Sequence, residues 1–494
     1  MKIAVTTLYT PEIADFSEEA VKNFRMYCDL NGYDLFVYEQ SLKEGLRGNW
    51  CKPKVLLNHI NDYDYVVWLD SDIAILDINR KLEDIIEPHK DKTFIATDDM
   101  GGWKLNNGFM IFKNIKYVKE MLGALWKIQS QFINKDRGDQ KFFIDFLERV
   151  KFSRQNYHLY PQSEICAPLL LKNDKSFSVH LMGIHINDVR KKYIKYINNK
   201  HMTKKTINLR TRENLPKNLP NITLPRDSDV ENKLKLKQDE FIKLKNQWLN
   251  FFDNDRSGKH TKLFDWFKYI SSQIPAIEEP EDRFNCFNPF KKIAIVSLYT
   301  KEISEFAVHS EKSIKDYCEK QGYSFYVYRE SLDKNGSPNW SKSQALLNHI
   351  NDHEYIVWMD SDTLIFNPEK RFESIIEKTP KKFVLATKDI GNNSILNSGV
   401  LIFKSHEYSK NLIKKWRDFN GDKSSLYASG GDQEILCDIL RKSDGFGFNR
   451  KIFEMNEFNT DPRLVDNNTF ILHFMAYPHE LKKIFMSYWN QLEF

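Results

Sequence analysis

The sequence predicts an α/β protein: two tandem Rossmann-like domains, each a mostly parallel sheet with helices on both faces, joined by a helical linker. Three observations predict it. The first is an internal repeat, the feature to seek before any other. Ile3-Ala-Val-Thr-Thr-Leu-Tyr-Thr10 returns as Ile293-Ala-Ile-Val-Ser-Leu-Tyr-Thr300, and Leu56 to Asp62 recurs unchanged as Leu346 to Asp352, an offset of 290 residues. A repeat this long is a duplicated domain rather than a solenoid. The second is the alternation of strand and helix patterns within each copy, which implies βα units and a mostly parallel sheet. The third is Tyr65-Val-Val-Trp-Leu-Asp70-Ser-Asp72 and its twin Tyr355-Ile-Val-Trp-Met-Asp360-Ser-Asp362. An apolar run rich in Val, Ile and aromatics reads as a buried strand.

The elements follow in order. Residues 2–9 read as a strand and 17–30 as a helix with Ala20, Phe24, Tyr27 and Cys28 on one face. Gly32 is a helix stop before a strand at Tyr33–Tyr38. Lys54–Ile60 is helical, and Thr93–Thr97 and Gly108–Lys113 are strands. Lys116–Gln131 and Asp139–Val150 are helices, and a strand-like Phe177-Ser-Val-His180-Leu closes the copy. The boundaries are 1–212 and 291–494 for the two domains, with 213–290 as the linker. The linker has prolines 216, 220, 225, 275, 280 and 289 near its two ends. Between them residues 229–272 read as helical, with a stripe including Leu234, Phe241, Leu244, Trp248 and Trp266.

The 494 residues exceed one ordinary core. Lys and Arg number 73 against 68 Asp and Glu, a balance that calls for no nucleic-acid partner. No run of 18 apolar residues exists to cross a membrane. Residues 190–217 are strongly basic; they read as a solvated face or tail, with contact to an anionic acceptor or a membrane surface as the second reading. The six cysteines contain no CxxC pair, and Cys28 and Cys318 read as buried free thiols. The chain opens at Met1 on a core strand without the features of a signal peptide, so the expected location is cytoplasmic.

Side chains two apart on a strand point the same way, so Asp70 with Asp72, and Asp360 with Asp362, aim two carboxylates at one point. At the ligand edge of an α/β sheet, such a pair suits a hard divalent cation; the alternative is a pair of capping aspartates. His180 lies 41 residues after Asp139, and His473 lies 41 after Asp432. A core histidine is the plain reading, but the kept spacing points to a third ligand, and two carboxylates with an imidazole favour Mn2+ over Mg2+. Gly108 and Gly399, after Asn107 and Ser398, permit close backbone approach to a ligand, or mark a tight turn. Lys52 and Lys342 are either exposed or placed to neutralise a phosphate. Asp139 and Asp432, each followed by Gln, are either N-caps or carboxylates turned into the same cleft.

Taken in order, Trp-x-Lys, the apolar strand into Asp-Ser-Asp, Asn-(Asn/Ser)-Gly-apolar-Ile-Phe-Lys, Gly-Asp-Gln and a late His resemble the GT-A glycosyltransferases, and among them family 34. That family holds yeast galactosyl- and mannosyltransferases and plant xyloglucan xylosyltransferases. The resemblance implies a retaining transferase that takes a UDP- or GDP-sugar, a glycan acceptor and Mn2+. It implies metal ligands at Asp70, Asp72 and His180, and at Asp360, Asp362 and His473. Lys52 and Lys342 would lie near the donor diphosphate. Asn107, Gly108, Ser398 and Gly399, with the catalytic candidates Asp139, Gln140, Asp432 and Gln433, would line the sugar site. The expectation is a bifunctional enzyme; the alternative is one catalytic half beside a non-catalytic sugar-binding or scaffold half.

Overall fold

The structure is a computed structural model. It describes residues 1–101, 103–129, 138–149, 156–210, 227–254, 261–278, 280–333, 336–390, 394–423, 431–445 and 447–493. The expected connector around Pro216, Pro220 and Pro225 lies outside them, as do Arg212, Lys217, Gly102, Asn392 and Asn393. The chain forms two compact units. One comprises Met1–Glu240, Gln273–Pro275 and Gln491–Phe494, the other Phe241–Ser272 and Ala276–Asn490.

The first unit is built on a six-stranded sheet. Its order is Asp34–Tyr38, Ile3–Leu8, Tyr65–Leu69, Asn106–Lys113, Phe94–Thr97, Tyr157–Tyr160. All pairs are parallel except those of Asn106–Lys113, which runs against both neighbours. The sheet is therefore mostly parallel with one reversed strand. Tyr65–Leu69 is central and buried at every position, because both faces are covered. On one face Val66 and Trp68 pack with Val55, Leu56, Leu122, Leu125 and Phe143 from three helices. Alternation sends Val67 and Leu69 to the other face. Each fully buried side chain of this kind contributes about 1.5–3 kcal/mol.

The helix Ala14–Asn31 stops where the sequence indicates. Gly32 takes φ of 76°, and its N–H and that of Tyr33 both donate to the Cys28 carbonyl. The left-handed region suits glycine. Gly322 repeats the device after Ser304–Gln321 at φ of 74°.

The basic stretch departs from expectation. Up to residue 210 it is a helix, Asn187–Arg210, packed against Ala14–Asn31 rather than a tail. Val189, Tyr193, Ile194 and Ile197 are buried. Asn198 donates to the Glu19 carbonyl and accepts from Asn23, which also holds the Ile75 N–H. Apolar positions three and four apart, hidden among the lysines, make the packing face.

The second unit repeats the sheet with one addition, in the order Phe284–Phe287, Ser324–Tyr328, Ile293–Leu298, Tyr355–Met359, Asn397–Lys404, Val384–Thr387, Arg450–Phe453. The added edge strand Phe284–Phe287, antiparallel to Ser324–Tyr328, falls in a stretch that the prolines mark as irregular. The apolar stripe of the linker is packing: Phe241 meets Phe366, Phe485 and Trp489, and Trp248 meets Phe267. Cys28 and Cys318 are buried thiols.

A small second sheet does what the main sheet cannot. Ser178–His180 pairs with Ile73–Ile75, setting His180 opposite Ile73, the residue after Asp72. In the second unit Thr363 and His473 pair the same way. A histidine more than a hundred residues away is thereby fixed beside each Asp-x-Asp.

His309, in Ser304–Gln321, is buried with neither ring nitrogen hydrogen-bonded. Burial, with Lys483 and Lys312 near, pulls it down to about 4. The folded state thus refuses a proton that the unfolded chain binds below its ordinary value of 6.5, and stability is lost as pH falls through that window. Between pH 7 and pH 5 this group should cost about 2 kcal/mol. A His309→Leu variant should lose that part of the acid sensitivity in urea unfolding at the two pH values.

Candidate active site

Each central strand delivers its first aspartate to a fixed post. The Asp70 N–H donates to the Gly108 carbonyl at 2.8 Å, and the Trp68 indole donates to Asp70 Oδ1 at 2.7 Å. Asp360 repeats both contacts with Gly399 and Trp358 at the same distances. The tryptophan of each motif, buried and two residues before the carboxylate, is thus a positioning donor as well as core.

Lys52 is buried, not exposed. It comes from the first turn of Lys52–His59, and its Nζ lies 2.9 Å from Asp70 Oδ1 and 3.0 Å from Asp139 Oδ2. Burial alone pulls an ammonium down; Asp139 and Asp70 outweigh it and push Lys52 up to about 12. Lys342 sits 2.9 Å from Asp360 Oδ1 and 3.1 Å from Asp432 Oδ2, and is raised for the same reasons.

Asp139 is turned inward. Asn49 donates to its Oδ1 and Asn107 to its Oδ2, both at 2.7 Å. Burial raises a carboxyl, but Lys52 and these donors hold Asp139 below its ordinary value. Asp432 takes Asn339 at 2.6 Å, and Lys342 reaches the Ser398 hydroxyl at 3.2 Å. Gln140 accepts the Asn107 N–H and donates to Asp99 Oδ2, which also takes Asn106 Nδ2. Gln433, Ser398, Asp389 and Asn397 repeat that set.

His180 Nε2 lies 3.1 Å from Asp72 Oδ1 and 4.0 Å from Asp70 Oδ2. His473 stands 3.2 Å and 3.9 Å from Asp362 and Asp360. Burial pulls the His180 ring down, yet Asp72 holds it well above its ordinary value. Burial pushes both carboxyls up; it prevails at Asp70, while at Asp72 the histidine prevails and the value falls. Gly108 and Gly399 are where the ring passes closest. A Cβ on Gly108 would lie 2.3 Å from His180 Cε1, and one on Gly399 would lie 1.9 Å from His473 Cε1. Glycine is required there for the histidine, which explains its place in both copies.

In each group the candidate ligand atoms lie within 4.8 Å of one another. Two carboxylates and one imidazole, converging at the end of the central strand, are consistent with a divalent metal site. All sixteen residues singled out in the sequence fall around these two constellations. Asn49 and Asp99, with Asn339 and Asp389, were given no role, and Asn106 and Asn397 were read only as part of the Asn-(Asn/Ser)-Gly motif. All recur at offsets of 290 or 291, and for Asn49 and Asp99 that identity between the copies was the only signal. In the second unit the site opens into a cleft of about 1570 Å3, lined by Tyr299, Arg329, Lys342, Asp362, Asp389 and His473 among others.

The model of the galactosyl transferase GMA12/MNN10 family matches residues 4–91 and again 296–392. The chain is a glycosyltransferase. Both matched segments run through the Lys and Asp-x-Asp motifs, once in each half, and the enzyme class is that of nucleotide-sugar-dependent transferases. Solved structures similar to this glycosyltransferase include an enzyme involved in glycosylating the major capsid of PBCV-1. That match is 15% identical with a TM-score of 0.33, covering 40% of this chain and all of that one. Another is GlyE of Streptococcus pneumoniae TIGR4, at 12% identity and a TM-score of 0.28, covering 80% of this chain and 95% of that one. A third is the galactosyltransferase LgtC with donor and acceptor sugar analogs, at 12% and 0.27, covering 40% and 95%. No curated protein sequence matches.

Replacing Lys52 by Met would leave Asp70 and Asp139 facing each other largely buried. The expected loss is about 3 kcal/mol, read by chemical denaturation, with Lys52→Arg losing less.

Proposed function

We propose that each half of this glycosyltransferase moves a sugar from a UDP- or GDP-sugar to a hydroxyl of a glycan acceptor, with retention at the anomeric carbon. The observation that carries this is the duplication of the whole constellation, not of the Asp-x-Asp alone. Asp70, Asp72 and His180 would hold a divalent cation, Mn2+ before Mg2+, and Asp360, Asp362 and His473 a second. Such an ion, when bound, stabilises charge that develops on the leaving diphosphate.

The residues of the chain do the rest. Lys52 and Lys342, kept protonated by their carboxylates, bring a fixed positive charge to the end of the central strand, where an anionic leaving group gains most from preorganised charge. Asp139 and Asp432 hold those lysines in place. With three donors on its two oxygens, Asp139 is arranged to orient rather than to attack. The sets Asp99, Gln140 and Asn106, and Asp389, Gln433 and Asn397, offer carboxylate and amide groups suited to sugar hydroxyls. The described residues contain no helix long and apolar enough to cross a membrane.

The halves differ along the wall of the cleft. In the second, Arg329 is buried against Glu311 and Tyr299 and donates to the Asp282 carbonyl. At the same repeat positions the first half has Glu39, Val21 and Tyr9. A reversed charge at one position supports two donors rather than one enzyme made twice.

A panel of UDP- and GDP-sugars with Mn2+ tests this, on wild type, on Asp70→Ala with Asp72→Ala, and on Asp360→Ala with Asp362→Ala. Each double variant should lose turnover of one donor by about a thousandfold and keep the other. If neither pair affects any turnover, the assignment is wrong.

A further inference from the structure

The two metal constellations superimpose in description except for one cation. The helix after each histidine begins at Asn187 in the first half and His479 in the second. Its fourth residue is Arg190 or Lys482. Each lies over the matched phenylalanine: Arg190 Cζ is 5.1 Å from the Phe16 ring centroid, and Lys482 Nζ is 5.1 Å from that of Phe306. From that shared seat the two side chains go to different partners. The Arg190 guanidinium donates to the Leu181 carbonyl and to Asn187 Oδ1. Among the described residues, the ion pair of Asp72 is with His180. Lys482 Nζ instead lies 2.7 Å from Asp362 Oδ2, while His473 faces Oδ1 of the same carboxylate. Lys482 is buried in the wall of the cleft.

We propose that Lys482 is an internal counter-cation for Asp362, so that the C-terminal metal site loads only at a higher metal concentration than the N-terminal one. This rests on the reading of both constellations as metal sites. A divalent ion approaching Asp362 meets a carboxylate already neutralised by an ammonium. It must displace that ammonium or bind beside a like charge at close range, and in a half-buried site either costs affinity. Asp72 carries a lighter burden: Arg190 acts on it only through space, because its planar fork is tied to a backbone carbonyl and an asparagine and stacks on Phe16. The chain then holds two unequal sites, and metal supply sets whether one half or both are loaded.

Direct Mn2+ titration tests this, counting free ion by electron paramagnetic resonance, on the full chain without donor or acceptor. Wild type should bind two ions whose dissociation constants differ by about tenfold or more. Lys482→Met keeps the stem over Phe306 and removes the charge. It should tighten the weaker site by at least about fivefold and leave the stronger one unchanged. Lys482→Gln should do the same if the Met variant melts early. Asp362→Asn should abolish the weaker site alone, which assigns it. Two equal sites in wild type, or a weaker site unmoved or weakened in both lysine variants, would overturn the proposal while leaving the metal sites themselves standing. Binding of no Mn2+ at all would overturn the metal reading beneath it.

Discussion

A buried ammonium shared by two carboxylates organises each half of this protein. Lys52 joins the end of the central strand, at Asp70, to the start of the helix that carries Asp139. Lys342 makes the same join between Asp360 and Asp432. One buried carboxylate beside another is unfavourable, and so is a buried lysine alone; together they are stable only in this geometry. The asparagines at 49 and 107 close the remaining acceptor positions on Asp139. Break the lysine and the central-strand end, the helix start and the start of the strand Asn106–Lys113 lose their common point.

The second aspartate of each motif depends on that arrangement. With the first carboxylate held by lysine and indole, the second is turned to the histidine. The small side sheet supplies that histidine through strand register. Glycine at 108 and 399 leaves room for the ring. The site is therefore assembled from five separated stretches, each fixed by ordinary packing or pairing. The fold places all of them at one end of the central strand, where a mostly parallel sheet presents its ligands.

Much of this was legible in the sequence, because duplication turns one chain into its own comparison. The apolar run into Asp-Ser-Asp gave the strand by composition, and the repeated spacing pointed to His180 and His473, which the structure sets beside the two Asp-x-Asp pairs. Other parts were not legible, for physical reasons. The partner of Lys52 is Asp139, 87 residues on, and no local pattern encodes that contact. The strand Phe284–Phe287 lies among prolines, and its pairing comes from Ser324–Tyr328 rather than from its own periodicity. The helix Asn187–Arg210 reads as a charged surface because its buried face is thin. Lys482 escaped notice because its counterpart is also a cation; only the destination of the side chain differs.

The central claim is that each half holds one divalent cation between its Asp-x-Asp pair and its late histidine. The most direct measurement is anomalous diffraction from crystals of the full chain soaked in excess Mn2+. The account predicts one anomalous peak among Asp70, Asp72 and His180, and a second among Asp360, Asp362 and His473. Absence of density at both positions, or Mn2+ held elsewhere by other residues, would contradict it.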